Sequence, residues 1–364
     1  MKTYEKTFYP TVNYSPCQTL GASKPLFIDI ETTGLKADYA QIYLIGVCFP
    51  ITEPDDGLPG AWRLIQWFAE EPSQESKVLR TCCRFIAGHD ILIHFNGQRF
   101  DLPFLHARCQ RHHIDSPFLT MPSLDLYLKI KALKKLCSLD NCKQKTIEAF
   151  LGLGREDLYN GGQLISVYHQ YVRSQNKELL QLLLIHNAED VMCMPCLPSM
   201  FSYLRARQGD FTISDISVSS DSDDVRQLRL KTNLSFPQPL QLLSAGRQVY
   251  LKADTISIRL PLLFGRLMHF FPNYRDYYYL PLEERCLHKS VASFVDPSCR
   301  RKASPQECFA EREGCYYLQG FPAPGVQGFC CSYGGELYAD AKGAQLQDSG
   351  YLVLFVSELL HTIS

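Results

Sequence analysis

The most informative stretch of this sequence is Pro25-Leu-Phe-Ile-Asp-Ile-Glu-Thr-Thr-Gly-Leu35. It is an apolar run that ends in a Thr-Thr-Gly turn, which is typical of a buried strand. Because strand side chains alternate, Asp29 and Glu31 share one face, about 7 Å apart, and the isoleucines between and before them face the core. Two carboxylates at a strand end repel each other unless a cation lies between them. Mg²⁺ and Mn²⁺ prefer such oxygen ligands. Taken alone, the pair favours two solvated edge acids over a metal site.

A second acidic motif, Asn96-Gly-Gln-Arg-Phe-Asp101, follows the apolar strand predicted at Ile91–Phe95 and opens a helix. Asparagine and glycine suit the turn before that helix. Asp101 is therefore a candidate ligand at a second strand end. Its alternative role is a helix N-cap, which contributes about 1 kcal/mol.

A third motif, His186-Asn-Ala-Glu-Asp190, lies in a long leucine-rich helix predicted over residues 177–203. His186 and Asp190 are four residues apart and so share one helix face. An aspartate on an otherwise apolar helix is costly to bury unless it is paired or binds a metal. Glu189 lies about 100° further round the helix and fits a solvent-facing position.

These three motifs, in this order over about 160 residues, resemble the DEDD superfamily of 3′–5′ exonucleases, and within it the YprB-type branch. The resemblance covers roughly residues 25–203 and includes the sequence that flanks each motif. The matching stretches are IYLIGV at 42–47, FNGQRFDLPFL at 95–105, KTIEAFLGLGRED at 145–157 and LIHNAEDV at 184–191. The resemblance implies a ribonuclease H-like fold and a metal-dependent exonuclease acting on single-stranded DNA or RNA ends.

It also implies which residues form the active site. The four metal-binding carboxylates are Asp29, Glu31, Asp101 and Asp190. In the family such acids hold two Mg²⁺ or Mn²⁺ ions, which stabilise the attacking and leaving oxygens of a phosphodiester displacement. His186 would orient or deprotonate the attacking water. One departure stands out: the DnaQ-like branch has histidine five residues before the last aspartate, and the RNase D-like branch has tyrosine four before it. This chain has histidine at the tyrosine spacing.

Further residues are expected near the substrate. Relatives contact the terminal nucleotide just after the metal strand, where this chain has Thr33, Gly34 and Leu35. Other candidates are Asn96 in the second motif, with Lys145 and Arg155 as phosphate contacts. An ordinary surface charge explains each of those two cations better than a phosphate contact does. Asp125, a fifth acid, is left out of the metal set.

The organisation of the chain follows from its changing texture. Strand patterns come first and helical patterns follow, so we predict an α/β domain, a ribonuclease H-like mixed sheet flanked by helices, over residues 25–207. Residues 1–24 are predicted as an irregular N-terminal extension, and residues 208–226 as a linker, because Ile216–Asp224 is rich in serine and aspartate. Residues 227–364 form a smaller β-rich module with a helix near its end. Its aromatic stretch at 269–279 fits a core better than a platform that guides nucleic acid.

Composition excludes several classes of protein. The 364 residues carry 37 basic and 38 acidic side chains, so any nucleic-acid contact must come from a local groove. Fifteen cysteines are too few for a disulfide scaffold. No signal peptide or membrane-spanning run is visible, so a cytoplasmic, reduced protein with no membrane partner is expected. The sequence indicates no protein partner.

Cysteine-based metal sites are minor alternatives. Cys193-Met-Pro-Cys196 is a CxxC motif, and Cys137 and Cys142 would complete a four-sulfur site. A second possible set is Cys299, Cys308, Cys315 and Cys330. Two other functions stay open: a catalytically inert nucleic-acid-binding module with the same fold, and an interaction protein built on the β-rich module.

Overall fold

The computed structural model describes residues 1–10, 19–52, 60–156, 159 and 161–363. The chain divides into two compact units. The first comprises Met1–Leu204 with Ser235–Gln238, and the second comprises Arg205–Leu234 with Pro239–Ser364.

The first unit is built on a six-stranded mixed sheet. Its strands are β1 (Lys2–Phe8), β2 (Pro25–Thr32), β3 (Ile42–Pro50), β4 (Trp62–Phe68), β5 (Ile91–His94) and β6 (Ser123–Asp125). Their spatial order is β1-β4-β3-β2-β5-β6. Strand β2 lies inside the sheet, antiparallel to β3 and parallel to β5. The acidic strand end is therefore central in the sheet.

Helices cover both faces of this sheet. The covering helices are α1 (Glu75–Ile86), α2 (Asp101–Arg111), α5 (Gly161–Ser174) and α6 (Lys177–Cys193). The other helices in this part of the chain are α3 (Leu126–Ile130), α4 (Gln144–Phe150) and α7 (Phe201–Gln208). Ile45 of β3 packs with α1 and α2, whereas its neighbour Leu44 packs with α5 and α6. Burial on both faces explains why the central strands are continuously apolar. The predicted mixed sheet flanked by helices is confirmed.

Two local predictions in the first unit are wrong. The extension at 1–24 contains β1, an edge strand paired antiparallel with β4. Its residues are mostly polar and exposed, so it carries no apolar signal, and backbone hydrogen bonds hold it in place. The helix predicted over 177–203 ends at Cys193, and the turn at Met194–Met200 is a 3₁₀ helix. Pro195 and Pro198 lack the amide hydrogens that an α-helix requires.

The second unit is β-rich, as predicted, and its strands pair antiparallel. A five-stranded sheet with the order β14-β13-β9-β8-β7 contains β7 (Ile213–Ser222), β8 (Val225–Ser244), β9 (Arg247–Phe270), β13 (Phe309–Leu318) and β14 (Tyr338–Asp340). A three-stranded sheet contains β10 (Tyr277–Leu280), β11 (Arg285–His288) and β12 (Arg301–Lys302). Helices α8 (Lys289–Ala292) and α9 (Ser349–Thr362) complete the unit.

The predicted linker needs correction. Ile216–Ser222 belongs to β7, which pairs antiparallel with β8. Its serines and aspartates bury little, but the partner strand satisfies the backbone, and composition alone does not report that pairing. The aromatic residues of this unit fall into two groups. Tyr316 and Tyr317 are fully buried, whereas Tyr278 and Tyr279 are half-buried, each with an arginine over its ring.

Candidate active site

The first two carboxylates occupy the end of β2, as the strand pattern predicts. Glu31 is buried and Asp29 is half-buried, and Ile28 and Ile30 enter the core on the other face. Burial raises the pKa of Asp29 well above its ordinary value, and the negative charges of the neighbouring acids raise it further.

Asp101 opens α2 immediately after the loop that follows β5. Burial raises its pKa to about 7. Gly97 lets this loop approach, since a Cβ atom there would lie 2.9 Å from Asp101 Oδ2 and 2.8 Å from the His94 ring. The loop also contains Asn96 in the left-handed region, with φ 60°. The second strand end thus brings its acid to the first.

His186 and Asp190 lie one turn apart on α6. His186 Nε2 is 3.4 Å from Asp190 Oδ2 and 3.5 Å from Glu31 Oε1. Ligand atoms of Glu31, His186 and Asp190 all lie within 4.8 Å of one another. The unusual histidine spacing therefore still places the imidazole between two acids from different elements.

All five predicted catalytic residues line one cleft of about 480 Å³, here called the acidic cleft. Its predicted catalytic residues are Asp29, Glu31, Asp101, His186 and Asp190. Acids from two strand ends and a helix converge there, and oxygen donors of this kind suit a hard divalent cation. The raised pKa values of Asp29 and Asp101 fit this interpretation, because a bound cation would offset the repulsion.

The predicted substrate residues are placed unevenly. Leu35 and Asn96 line the acidic cleft, and the Leu35 side chain is 82% exposed. Thr33 and Gly34 do not line it, and the Thr33 hydroxyl accepts a hydrogen bond from the Gln41 amide at 2.9 Å. Lys145 lies outside it as well, where its Nζ donates to the carbonyl of Tyr159 at 2.8 Å.

Arg155 lies between two carboxylates. It pairs with Glu148, and its NH1 atom is 2.5 Å from Asp190 Oδ1. Asp190 therefore turns Oδ1 to the arginine and Oδ2 to His186. The prediction that Arg155 contacts a phosphate stays a prediction, and its two carboxylate partners compete with that role.

Asn187 is a site residue that the sequence reasoning missed. Its Nδ2 donates to Asp29 Oδ2 at 3.0 Å, and its Oδ1 accepts from Gln66 Nε2 at 2.9 Å. Gly46, directly opposite Asp29 in the sheet, makes room for this amide. A Cβ atom at Gly46 would lie 2.1 Å from Asn187 Oδ1. No sequence pattern signals this contact, because the pairing of Gly46 with Asp29 is known only from the strand register.

The remaining acidic and cysteine candidates have contacts that explain them without a metal. Asp125 accepts hydrogen bonds from the amides of Asn96 and Tyr127, so it shapes the loop and caps α3. Burial raises the pKa of Cys193 and of Cys196 to about 12, which keeps both thiols protonated. In the described part of the chain, three or more metal-ligating side chains converge only at Glu31, His186 and Asp190. Neither predicted cysteine set forms a metal site there.

A family model described as RNase_H superfamily (RNase_H_2) matches residues 26–199. This stretch is similar to ribonuclease H superfamily domains. The matched stretch contains all four predicted metal-binding acids and His186. The match confirms the resemblance at the superfamily level and, with the acidic cleft, supports a nuclease, which is a hydrolase.

Solved structures similar to this chain include a DNA polymerase and an exonuclease. One is the family B DNA polymerase of the hyperthermophilic archaeon Pyrobaculum calidifontis, at 12% identity and a TM-score of 0.40, covering 93% of this chain and 46% of the polymerase. The other is E. coli exonuclease I in complex with an oligonucleotide, at 14% identity and a TM-score of 0.30, covering 44% of this chain and 45% of the exonuclease. This chain therefore spans less than half the length of either protein.

No curated protein matches this chain. Across the described residues, none of the helices has the length and apolar character needed to cross a bilayer.

Proposed function

We propose that this chain is a DEDD-type 3′–5′ exonuclease that hydrolyses single-stranded nucleic acid ends. The observation that carries the proposal is the convergence of three separate motifs on the acidic cleft. Asp29, Glu31, Asp101 and Asp190 would hold two divalent cations, Mg²⁺ or Mn²⁺. The bound cations supply charge stabilisation to the phosphodiester and activate water for attack.

The side chains around these acids have distinct tasks in the proposal. His186 Nε2, between Glu31 and Asp190, orients the attacking water and accepts its proton. Asn187 fixes the orientation of Asp29, and Arg155 fixes that of Asp190. The exposed side chain of Leu35 at the cleft is placed to contact the terminal base.

The decisive assay uses 5′-labelled single-stranded DNA and RNA with Mg²⁺, Mn²⁺ or a chelator. We expect a ladder that shortens from the 3′ end and that the chelator abolishes. Asp29→Asn and Asp190→Asn should each lower kcat by about 10³-fold or more, because each removes a charged ligand.

Glu189→Gln is the matched control. Glu189 lies next to Asp190 on the same helix, but its carboxylate accepts from the Glu156 amide, outside the acidic cleft. Its variant should keep full activity. Undiminished cleavage by both aspartate variants refutes the assignment, and binding of nucleic acid without hydrolysis by the wild type favours the inert binding module.

A further inference from the structure

A second cleft, here called the basic cleft, adjoins the acidic cleft. It has a volume of about 690 Å³ and shares Phe95 and Asn96 with the acidic cleft. Both clefts lie within the first unit. The two clefts are therefore continuous at these two residues, so a linear polymer that occupies one can extend into the other.

Three cations line the basic cleft. They are Arg99, Lys134 and Lys143, all exposed. Within the described ranges, none of the three forms an ion pair with a carboxylate. Arg155, in contrast, is paired with two acids. The basic cleft therefore carries positive charge that no described acid neutralises, in a chain whose total charge is close to zero.

Aromatic rings form part of the same wall. The rings of Phe95 and Tyr127 meet edge to face with centroids 5.9 Å apart, and both side chains are half-buried. A groove that combines unpaired cations with accessible rings is how proteins hold single-stranded nucleic acid without reading its sequence.

We propose that the basic cleft binds the single-stranded nucleic acid upstream of the scissile phosphate. Arg99, Lys134 and Lys143 contact phosphates, and Tyr127 stacks on a base. The proposal deepens the proposed function and rests on it, because the strand is taken to end in the acidic cleft. It also explains how an acidic cleft retains a polyanion: the attraction is supplied next to the acids.

The first test measures binding without hydrolysis. Fluorescence anisotropy follows a labelled oligothymidylate of about 12 nucleotides in chelator over a range of salt concentrations. The triple variant Arg99→Gln/Lys134→Gln/Lys143→Gln should bind about 10- to 100-fold more weakly than wild type at ~0.1 M salt. Its slope of log K against log salt should fall by about 2, since each lost phosphate contact removes about 0.7.

Two further variants separate charge from stacking. Lys77→Gln/Arg173→Gln/Lys177→Gln removes three exposed cations of the first unit that do not line the basic cleft, and it should bind like wild type. Tyr127→Ala should weaken binding about tenfold with an unchanged salt slope, because stacking releases no counterions. Equal losses in the two triple variants would overturn the proposal.

Hydrolysis then distinguishes the two proposals. The p-nitrophenyl ester of thymidine 5′-phosphate is too short to reach the basic cleft, whereas the oligothymidylate extends into it. The Arg99/Lys134/Lys143 variant should lose about tenfold or more in kcat/KM on the oligonucleotide and nothing on the ester. Equal losses on both substrates contradict the basic-cleft proposal. If wild type cleaves neither substrate, the proposed function is refuted. The anisotropy comparison of the two triple variants then tests nucleic-acid binding by the basic cleft on its own.

Discussion

Glu75 and Asp101 are both buried carboxylates of the first unit, and their surroundings are opposite. Glu75 accepts hydrogen bonds from Arg108 at 2.8 and 2.5 Å and from the Ile42 amide at 2.8 Å, and His112 is also 2.8 Å away. Burial alone would raise the pKa of Glu75, but these partners outweigh it and lower that pKa. At Asp101, burial outweighs two backbone hydrogen bonds, the charges of neighbouring acids add to the effect of burial, and the pKa rises.

These two cases show how a buried carboxylate that stabilises the fold can be distinguished from one that serves a functional site. A buried acid that the fold surrounds with donors stabilises the protein by itself. A buried acid that the fold leaves among other acids weakens the protein until a ligand arrives. On this criterion Glu75 holds α1 and α2 together, and Asp101 serves the acidic cleft.

The largest effect is expected from removing the partner of Glu75. Arg108→Leu leaves this buried carboxylate without its arginine partner, so the free energy of unfolding should fall by about 3–5 kcal/mol. Denaturant titration measures the loss. Arg111→Leu, at an exposed neighbour on the same helix, should cost under ~0.5 kcal/mol.

A double variant guards this first test against a simple failure to fold. Glu75→Gln/Arg108→Leu removes the charge together with its partner, and it should recover part of the lost stability. A loss below ~1 kcal/mol in Arg108→Leu would show that the arginine does not neutralise Glu75.

A smaller effect with the opposite sign is expected at Asp101. Its folded-state pKa of about 7 exceeds its ordinary value of 3.8, so the folded state binds more protons between these values. Stability that this group contributes is therefore lost as the pH rises through that window. In chelator at about pH 8, Asp101→Asn should be more stable than wild type, on the order of 2 kcal/mol.

The pH dependence gives that prediction its control. At about pH 3, below both pKa values, the wild-type carboxyl is mostly protonated in both states, so the advantage of Asp101→Asn should largely disappear. Glu75, with a lowered pKa, has the opposite dependence, because its contribution is lost as the pH falls. Thermal unfolding at both pH values measures this, and an advantage of the same size at both would contradict the assigned cause.

The smallest effect is expected at Gly46, which supports the acidic cleft from the neighbouring strand. A methyl group there collides with Asn187 Oδ1, so Gly46→Ala should cost about 1–2 kcal/mol and lower kcat through the displaced Asp29. Gly154→Ala, where a Cβ meets nothing within 4 Å, is the matched control. Adding Asn187→Ala should relieve the clash but leave kcat low, and a full return of activity would exclude Asn187 as the support of Asp29.

Much of the fold and the acid set followed from the sequence, because each depends on local patterns. The alternation around Asp29 and Glu31 placed both on one face, and the i,i+4 spacing placed His186 beside Asp190. The same logic failed for β1 and β7, whose polar residues form strands through backbone pairing with distant partners. The prediction that α6 extends to residue 203 was wrong because it followed the leucine spacing and ignored Pro195 and Pro198, which end the helix.

What the sequence could not supply were contacts between residues distant along the chain. Asn187 meets Asp29 across 158 positions, and Arg155 meets Asp190 only because a loop folds back over α6. No local pattern reports such pairs. The basic cleft is similar: its cations lie on separate segments, and only the fold puts them beside the acidic strand end.

Helix α6 contributes three site residues within five positions, namely His186, Asn187 and Asp190. A single inserted or deleted residue between the body of the helix and this segment would turn all three by about 100° at once. The imidazole, the amide to Asp29 and the last acid would leave the cleft together, although every residue type would still be present. A length change of one residue within α6 would therefore remove three site residues from the cleft in a single step.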